Sequence, residues 1–454
     1  MNVLPTSADR SSGRPGIFDA IDFDGLKSIV VAVSGGSDSL ALLYKLLDFR
    51  RSRSAFPAII AVTVDHGLRA QSREEALYVA SLCRAAGIAH RILPWVGPKP
   101  ESGISARARE MRYGLLCEAA RACGSTMILT GHTLDDQIET LAMRSARMAA
   151  GGSGRGLAGM APATLLEREI WLVRPLLQTA RGELRAYLGA IGIGWRDDPS
   201  NESMAYERVR VRKALRPRER QEMRGRLIAN RAARISMNAR VAAALPSCTR
   251  VVDGLCAEIE RRGWDRLDTD VRHLAIGVLL ASMGGKPLLP AASLCQKALA
   301  LTTAGEGRGR LALSGCVVDA RAERILIYRE MRSIAATVVE PGRSLIWDGR
   351  YRIGNDGKRP VEIRAAGMAG RRQGSGRHAA WLRSGPALLA DGAAVSLSVP
   401  EDHAKLPDGI AVARHLALFD IILSGYDADL AQSIAKIFQV QAYRHSPVNQ
   451  INKN

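Results

Sequence analysis

Val33-Ser34-Gly35-Gly36-Ser37-Asp38-Ser39-Leu40 is the stretch on which the fold turns. Ahead of it lies the apolar run Ser28-Ile29-Val30-Val31-Ala32-Val33, which reads as a buried strand. Behind it, residues 38–47 place Leu40, Leu43, Tyr44 and Leu47 on one helical face. Two consecutive glycines permit positive φ and let an anion approach the backbone with no Cβ in the way. Ser34, Ser37 and Ser39 add hydroxyl donors. The following helix turns its unpaired N–H groups and positive dipole end towards the loop. Together these parts predict a phosphate cradle. It is not a Walker A loop, because no lysine stands in it. Asp38 would repel phosphate unless a hard divalent cation lay between them, which makes Asp38 the candidate metal ligand. Simple helix capping by Ser37 or Asp38 is the plain alternative, and it leaves Gly35, Gly36 and the flanking serines unexplained.

Outward from the loop, short apolar runs alternate with amphipathic stretches. Strands are expected at 58–64, 89–93, 126–130 and 170–173, and helices at 71–86, 104–122 and 134–148. The fold class this predicts is α/β, a doubly wound parallel sheet covered on both faces. A glycine-rich stretch, 151–156, follows the last of these helices, and a short helix is expected at 181–188. From 206 to 240 the chain becomes helical and basic, with twelve Arg or Lys against three Glu. Helix is expected to continue to about 300, after which short strands take over at 310–313, 316–318 and 325–328. The expected organisation is a disordered leader over 1–20, a catalytic domain over 21–215 and a basic helical domain over 216–304. A small strand-rich C-terminal domain over 305–440 and a frayed tail over 441–454 complete it.

Composition narrows the partners. The chain has 454 residues, 64 Lys plus Arg against 45 Asp plus Glu, and a formal charge of +19. Such an excess favours RNA, DNA or an anionic surface, unless it reflects only an arginine-rich proteome. No apolar run approaches the roughly 18 to 20 residues of a membrane helix, so no membrane partner is expected. The seven cysteines form no Cys-x-x-Cys pair, which fits reduced thiols and a cytoplasmic location. Six Trp, nine Tyr and six Phe are too few for prominent stacking platforms, so RNA would be held by backbone and shape with one base drawn out.

Two further motifs sit at strand ends, where ligands of such a sheet gather, and a third lies in a polar loop. Val64-Asp65-His66-Gly67-Leu68-Arg69 ends the second strand, and Gly131-His132-Thr133-Leu134-Asp135-Asp136-Gln137-Ile138-Glu139-Thr140 ends the fourth. Trp195-Arg196-Asp197-Asp198-Pro199-Ser200-Asn201 precedes Arg208-Val209-Arg210-Val211-Arg212. His132 and Asp136 fall on one face if a helix begins near 133, although Thr133-x-x-Asp136 also reads as a capping box. Arg109 and Arg112 are an i,i+3 pair that could face RNA or phosphate, or form a solvated face.

The loop resembles that of the PP-loop ATP-pyrophosphatase superfamily. The whole set, with Gly154-Arg155-Gly156-Leu157-Ala158-Gly159-Met160 and Arg174-Pro175-Leu176-Leu177, resembles the tRNA(Ile)-lysidine synthase family across about 28 to 215. Beyond 335 little of the resemblance persists. It implies that ATP, with Mg2+ on Asp38, is bound by Ser34, Gly35, Gly36, Ser37, Asp38 and Ser39. Asp65 is placed to meet adenosine. The implied catalytic residues are Asp38, His132 and Asp136. His132 either stabilises phosphate charge or shuttles a proton, and Asp135 and Asp136 hold the ammonium of L-lysine or a metal. Arg109, Arg112, Arg208, Arg210, Arg212 and Lys213 are the residues expected to hold tRNA. The sequence leaves the oligomeric state open, a homodimer included. A PP-loop thiolase, an amide-forming synthetase acting without RNA, and an RNA-binding protein with an inactive nucleotide fold are the rival readings.

Overall fold

The computed structural model describes residues 16–67, 71–97, 99, 103–149, 154–197, 202–303, 308–367, 380–390, 393–396 and 406–449. Internal contacts divide the chain into two units. The first comprises residues up to 234 with 424–426 and 444–454; the second comprises 235–423 and 427–443.

In the first unit the apolar runs form strands and the amphipathic stretches form helices, close to where the sequence places them. The order is β1 (Ser28–Ala32), α1 (Ser37–Arg51), β2 (Ala58–Asp65), α2 (Ser72–Ala85), β3 (Ala89–Pro94) and α3 (Ile104–Ala122). It continues with β4 (Met127–Leu129), α4 (Leu134–Ala149), β5 (Ala163–Leu166), β6 (Ile170–Val173), α5 (Arg181–Ala190) and α6 (Glu207–Ala214). Six strands of this unit lie in the order β5-β6-β4-β1-β2-β3. β1 pairs in parallel with both β2 and β4, and β4 pairs in parallel with β6. The chain therefore winds one way from β1 through β3 and the other way from β4 to β6. Its switch point lies between β1 and β4, where the phosphate loop and the His132 motif emerge.

Burial explains why these runs are strands. Ile29, Val30 and Val31 of β1 and Ile128 and Leu129 of β4 are wholly buried. Leu116, Cys117 and Ala120 of α3 pack over Val30, Val62, Ile128 and Leu172. Burial on both faces leaves no polar alternation for a strand to show.

In this set of six, one strand escapes sequence reading. β5 pairs antiparallel with β6, with Leu166 opposite Ile170. The connecting turn puts Glu167 and Arg168 at φ 50° and 62°, and no Asn-Gly or Asp-Gly announces it. The ends of the chain also differ from expectation. Of the expected leader, 1–15 lie outside the described residues, while Phe18 is buried against Phe49 at 5.2 Å between ring centroids. The expected frayed tail is pinned as far as it is described. Asp22 N donates to Pro447 O at 2.7 Å, Asn449 N donates to Ala20 O at 3.0 Å, and Val448 is buried.

The long helix α7 (Pro217–Cys248) starts in the first unit and ends in the second. Continuous helix to 300 is not found, because β7 (Thr249–Val252) and β8 (Cys256–Glu260) interrupt it. Asp253 and Gly254, both at positive φ, make the tight turn between them. α8 (Arg261–Trp264), α9 (Thr269–Gly284) and α10 (Ala292–Thr303) follow. β9 (Gly309–Leu313), β10 (Cys316–Ala320) and β11 (Arg324–Arg329) join the first two strands in a sheet of order β7-β8-β11-β10-β9. α9 is buried from Leu274 through Gly284, as a helix packed on several sides must be. Beyond 335 come β12 (Thr337–Val339), β13 (Arg343–Trp347), β14 (Tyr351–Asn355), β15 (Val361–Ala365), β16 (Pro386–Ala390), β17 (Ala393–Ser396) and β18 (Ile410–Arg414). They form two small antiparallel sheets, β12-β15-β16-β17 and β13-β14-β18. Among the described residues no helix is long and apolar enough to cross a membrane. The expected border at 215 falls in the turn between α6 and α7, and that at 304 lies outside the described residues.

Candidate active site

The phosphate loop leaves β1 and becomes α1 at Ser37, with Gly36 at the N-cap and no side chain capping the helix. The first N–H groups of α1 therefore keep their capacity for an anion. Gly35 sits at φ 87°, a conformation that strains any side chain, with Val79 only 3.4 Å from where a Cβ would stand. Ser39 holds the loop in shape: its Oγ accepts from Ser34 N at 3.1 Å and donates to Gly36 O at 3.1 Å. Ser37 Oγ donates to Asp38 Oδ1 at 3.1 Å. Gly131, beyond β4, lies so close that a Cβ there would stand 2.9 Å from the carbonyl oxygen of Asp38. That contact explains the glycine of the His132 motif and brings the two loops together.

Around this junction lies a web of charge. Arg181, the first residue of α5, donates from Nε to Asp38 Oδ2 at 2.8 Å and from Nη2 to Asp136 Oδ1 at 3.0 Å. Its Nη1 is 3.9 Å from Glu139 Oε1, and its backbone N–H donates to Asp135 Oδ2 at 2.8 Å. Asp135 thus caps α5 from the first turn of α4. Arg208 bridges Asp136 at 2.8 Å and Glu139 at 2.6 Å; Arg212 reaches Glu139 at 2.6 Å. Arg220 lies 3.3 Å from Asp135. Four carboxylates, Asp38, Asp135, Asp136 and Glu139, face four guanidinium groups, Arg181, Arg208, Arg212 and Arg220, so the web is neutral. Glu139, wholly buried, accepts from Arg208 and Arg212 at 2.6 Å each.

The capping-box reading of Thr133-x-x-Asp136 holds, and it leaves one carboxylate oxygen free of the cap. Thr133 N donates to Asp136 Oδ2 at 2.7 Å, and Asp136 N donates to Thr133 Oγ1 at 3.4 Å, a closed capping box. The other oxygen of Asp136 points into the charge web. Burial alone would raise the Asp136 carboxyl, but Arg208, Arg181 and the Thr133 N–H outweigh it and hold it below its usual range. Asp38 goes the other way. Burial raises it, and the neighbouring Asp136 adds to that, more than Arg181 and Ser37 can offset. His132 is pushed down to about 3 by burial and by the cations Arg174, Arg109 and Arg112, so its imidazole is uncharged at neutral pH. Its Nδ1 lies 3.0 Å from Thr130 Oγ1.

The other expected site residues fall in three places. Asp65, at the end of β2, accepts from Gly67 N at 2.9 Å and Ser72 Oγ at 2.6 Å, bonds that hold it below its usual range. Arg109 and Arg112 lie on α3 and act on His132, and Arg109 Nη2 reaches Tyr113 Oη at 3.2 Å. Of the expected tRNA cations, Arg208 and Arg212 are committed to Glu139 inside the crevice. Arg210 donates to the carbonyls of Met204 and Ala205 at 2.8 and 2.9 Å, and Lys213 to that of Glu202 at 3.4 Å. Both are exposed. Leu68, Arg69 and 198–201 lie outside the described residues.

Sequence reading gave Arg181 no role. A signal was available: a cation in the first turn of a helix opposes the dipole, so its partners must be tertiary. Arg185, one turn on, lies 2.6 Å from Asp197 and 3.4 Å from Ser37 Oγ, tying the Trp195 motif to the loop.

As a metal site, Asp38 with Ser37 offers one carboxylate and one hydroxyl. Among the described residues no group of three or more His, Cys, Asp or Glu could hold an ion. This donor set fits magnesium, which binds through one or two carboxylates and takes its remaining ligands from phosphate and water.

Known proteins resemble this chain in sequence over most of its length. The family model of the PP-loop domain, ATP_bind_3, matches residues 17–219. The tRNA(Ile)-lysidine synthase of Rhizobium meliloti is 39% identical over 446 residues, covering 94% of this chain and 94% of the relative. That of Brucella anthropi is 37% identical over 438 residues, covering 92% and 95%. A solved U34-tRNA thiolase from Methanococcus maripaludis aligns over 47% of this chain and 77% of its own, at 17% identity and a TM-score of 0.39. With its phosphate loop at the switch point of a parallel sheet, and relatives matched over nearly its full length, the chain belongs to the tRNA(Ile)-lysidine synthase family of PP-loop, ATP-using ligases.

Proposed function

We propose that this chain joins L-lysine to the wobble cytidine of the CAU-anticodon isoleucine tRNA, consuming ATP and releasing AMP and pyrophosphate. The observation that carries this reading is the Asp38–Arg181–Asp136 bridge, which joins the phosphate loop to the α4 acids in one crevice. The family to which the chain belongs supports it.

The cytidine carbonyl oxygen attacks the α phosphorus, the bond to the β phosphate breaks, and pyrophosphate leaves into the Ser34–Ser39 cradle. Magnesium arriving with the nucleotide would be held by Asp38 and would neutralise phosphate charge there. The uncharged side-chain nitrogen of lysine then attacks the activated ring carbon, and AMP leaves. Asp136, held below its usual range, is a weak base; its part is to anchor the incoming ammonium. His132, kept uncharged, serves as a hydrogen-bonding relay for the amine's proton rather than as a cation for phosphate. Asp65 is assigned to adenosine, and Arg109 and Arg112 to the RNA backbone near the flipped base. Exposed arginines of α7 add the electrostatic footprint for the rest of the tRNA. Reduced, mostly buried cysteines and a tRNA substrate fit a cytoplasmic enzyme.

The test is incubation of the full chain with ATP, L-lysine and bulk tRNA, followed by nucleoside mass analysis. A cytidine heavier by one lysine less one water, with AMP as the nucleotide product, is expected. Conversion of ATP to ADP without AMP would overturn the reading.

A further inference from the structure

Asp136 has no vacant oxygen. Oδ2 accepts from Thr133 N and Thr133 Oγ1 at 2.7 and 3.1 Å, and Oδ1 is shared by Arg181 at 3.0 Å and Arg208 at 2.8 Å. An ammonium can reach this carboxylate only if a guanidinium withdraws. Of the two, Arg181 alone also reaches the phosphate loop, through Asp38 at 2.8 Å. It lies at the start of α5, a helix tied to α4 by the Asp135 cap and to α1 by Arg185 on Ser37. A phosphate engages both arms of a guanidinium fork, whereas Arg181 meets Asp38 and Asp136 through one oxygen each, and a triphosphate in the cradle places paired oxygens beside it.

We propose that Arg181 is a latch coupling the two small substrates: it occupies the acids in the empty enzyme and swings to phosphate when nucleotide binds, opening Asp136 to the lysine amine. The swap needs no other change at Asp136, because Arg181 is the one group that touches both Asp136 and the phosphate loop in this web. Coupling between the two sites is reciprocal, so lysine must tighten nucleotide binding by the same factor. Arg208 stays on Glu139 throughout, which keeps Asp136 in place while Arg181 moves. In this role Arg181 is a positioning residue, and the assignment rests on the lysine-ligase reading above.

The test is calorimetric titration of the full chain with L-lysine, without and with saturating Mg2+ and α,β-methylene-ATP, which cannot be split at the reacting bond. Wild type should bind lysine about tenfold tighter with the analogue than without it. Arg181→Ala should bind lysine alone near the tighter value, with a ratio close to one. Arg181→Lys, which keeps the charge but not the fork, should show an intermediate ratio, and it guards against a folding defect in the alanine variant. An unchanged ratio in Arg181→Ala, a wild-type ratio of one, or no lysine binding in either state overturns the latch. Failure of the ligase reading shows separately, as absence of the lysine-bearing nucleoside from the wild-type tRNA assay.

Discussion

Nε of Arg181 lies 2.8 Å from Oδ2 of Asp38, across 143 positions of sequence, and through this contact α5 is clamped to the phosphate loop. The pair is four-fifths buried, with side-chain exposures of 19% and 17%, so it feels little solvent screening. Even so, burial leaves Asp38 raised above its ordinary value, and its charge is a strain on the folded protein.

Asp38→Asn is therefore expected to leave the thermal midpoint unchanged or higher, while AMP formation falls at least about a hundredfold. The sign follows from linkage: a carboxyl raised in the folded state opposes folding at neutral pH, and that opposition vanishes as pH drops through its folded value. A clear drop in the midpoint would contradict the assignment of Asp38 as a strained functional group.

Glu139 presents the opposite case. It is fully buried and shared by Arg208 and Arg212, so Glu139→Ala removes the compensating charge from two guanidinium groups. Loss of about 3 kcal/mol in denaturant unfolding of the first unit is expected, toward the low end for broken buried pairs because both arginines are partly exposed.

RNA affinity should separate two classes of arginine. Arg224 and Arg226 are exposed on α7, and replacing either by alanine should lower the salt slope of tRNA binding by about one while sparing nucleotide binding. Replacing Arg208 or Arg212, already neutralised by Glu139, should cost catalysis or stability and leave the slope nearly unchanged. Salt slopes equal to wild type in Arg224→Ala and Arg226→Ala would return α7 to the status of ordinary surface.

Histidine linkage gives a pH signature. His132, His66 and His90 are all lowered, chiefly by burial, so the unfolded chain binds protons that the folded chain does not. Stability should decline as pH falls below about 6.5, well before the carboxylates titrate. His132→Asn should flatten that decline between pH 6.5 and 5; a midpoint-versus-pH curve parallel to wild type would contradict the buried, uncharged imidazole.

Local sequence determined the strands, the helices and the phosphate loop, because each depends on near neighbours. The apolar run at 28–33, the 3.6-residue spacing of Leu40, Leu43 and Leu47, and Gly35-Gly36 act within a dozen residues. Helix over 104–122 could be read to the residue for the same reason. The Glu167-Arg168 turn of β5 carries no chemical signal, whereas the turn that breaks the expected helix is announced by Asp253-Gly254, a pair that favours hairpins but is outweighed, on sequence alone, by the apolar spacing of the surrounding helix. Only tertiary structure decided the partners of charge. Arg208 and Arg212 read as RNA-facing because a basic run attracts polyanions, yet folding brings the buried Glu139 to them from about 70 residues away. Arg181 had only its unfavourable place in the first turn of a helix to announce it, since its meaning lies in meeting Asp38 and Asp136 at one point. Electrostatics acts through space, and the sequence records which charges exist but not which of them the fold will bring together.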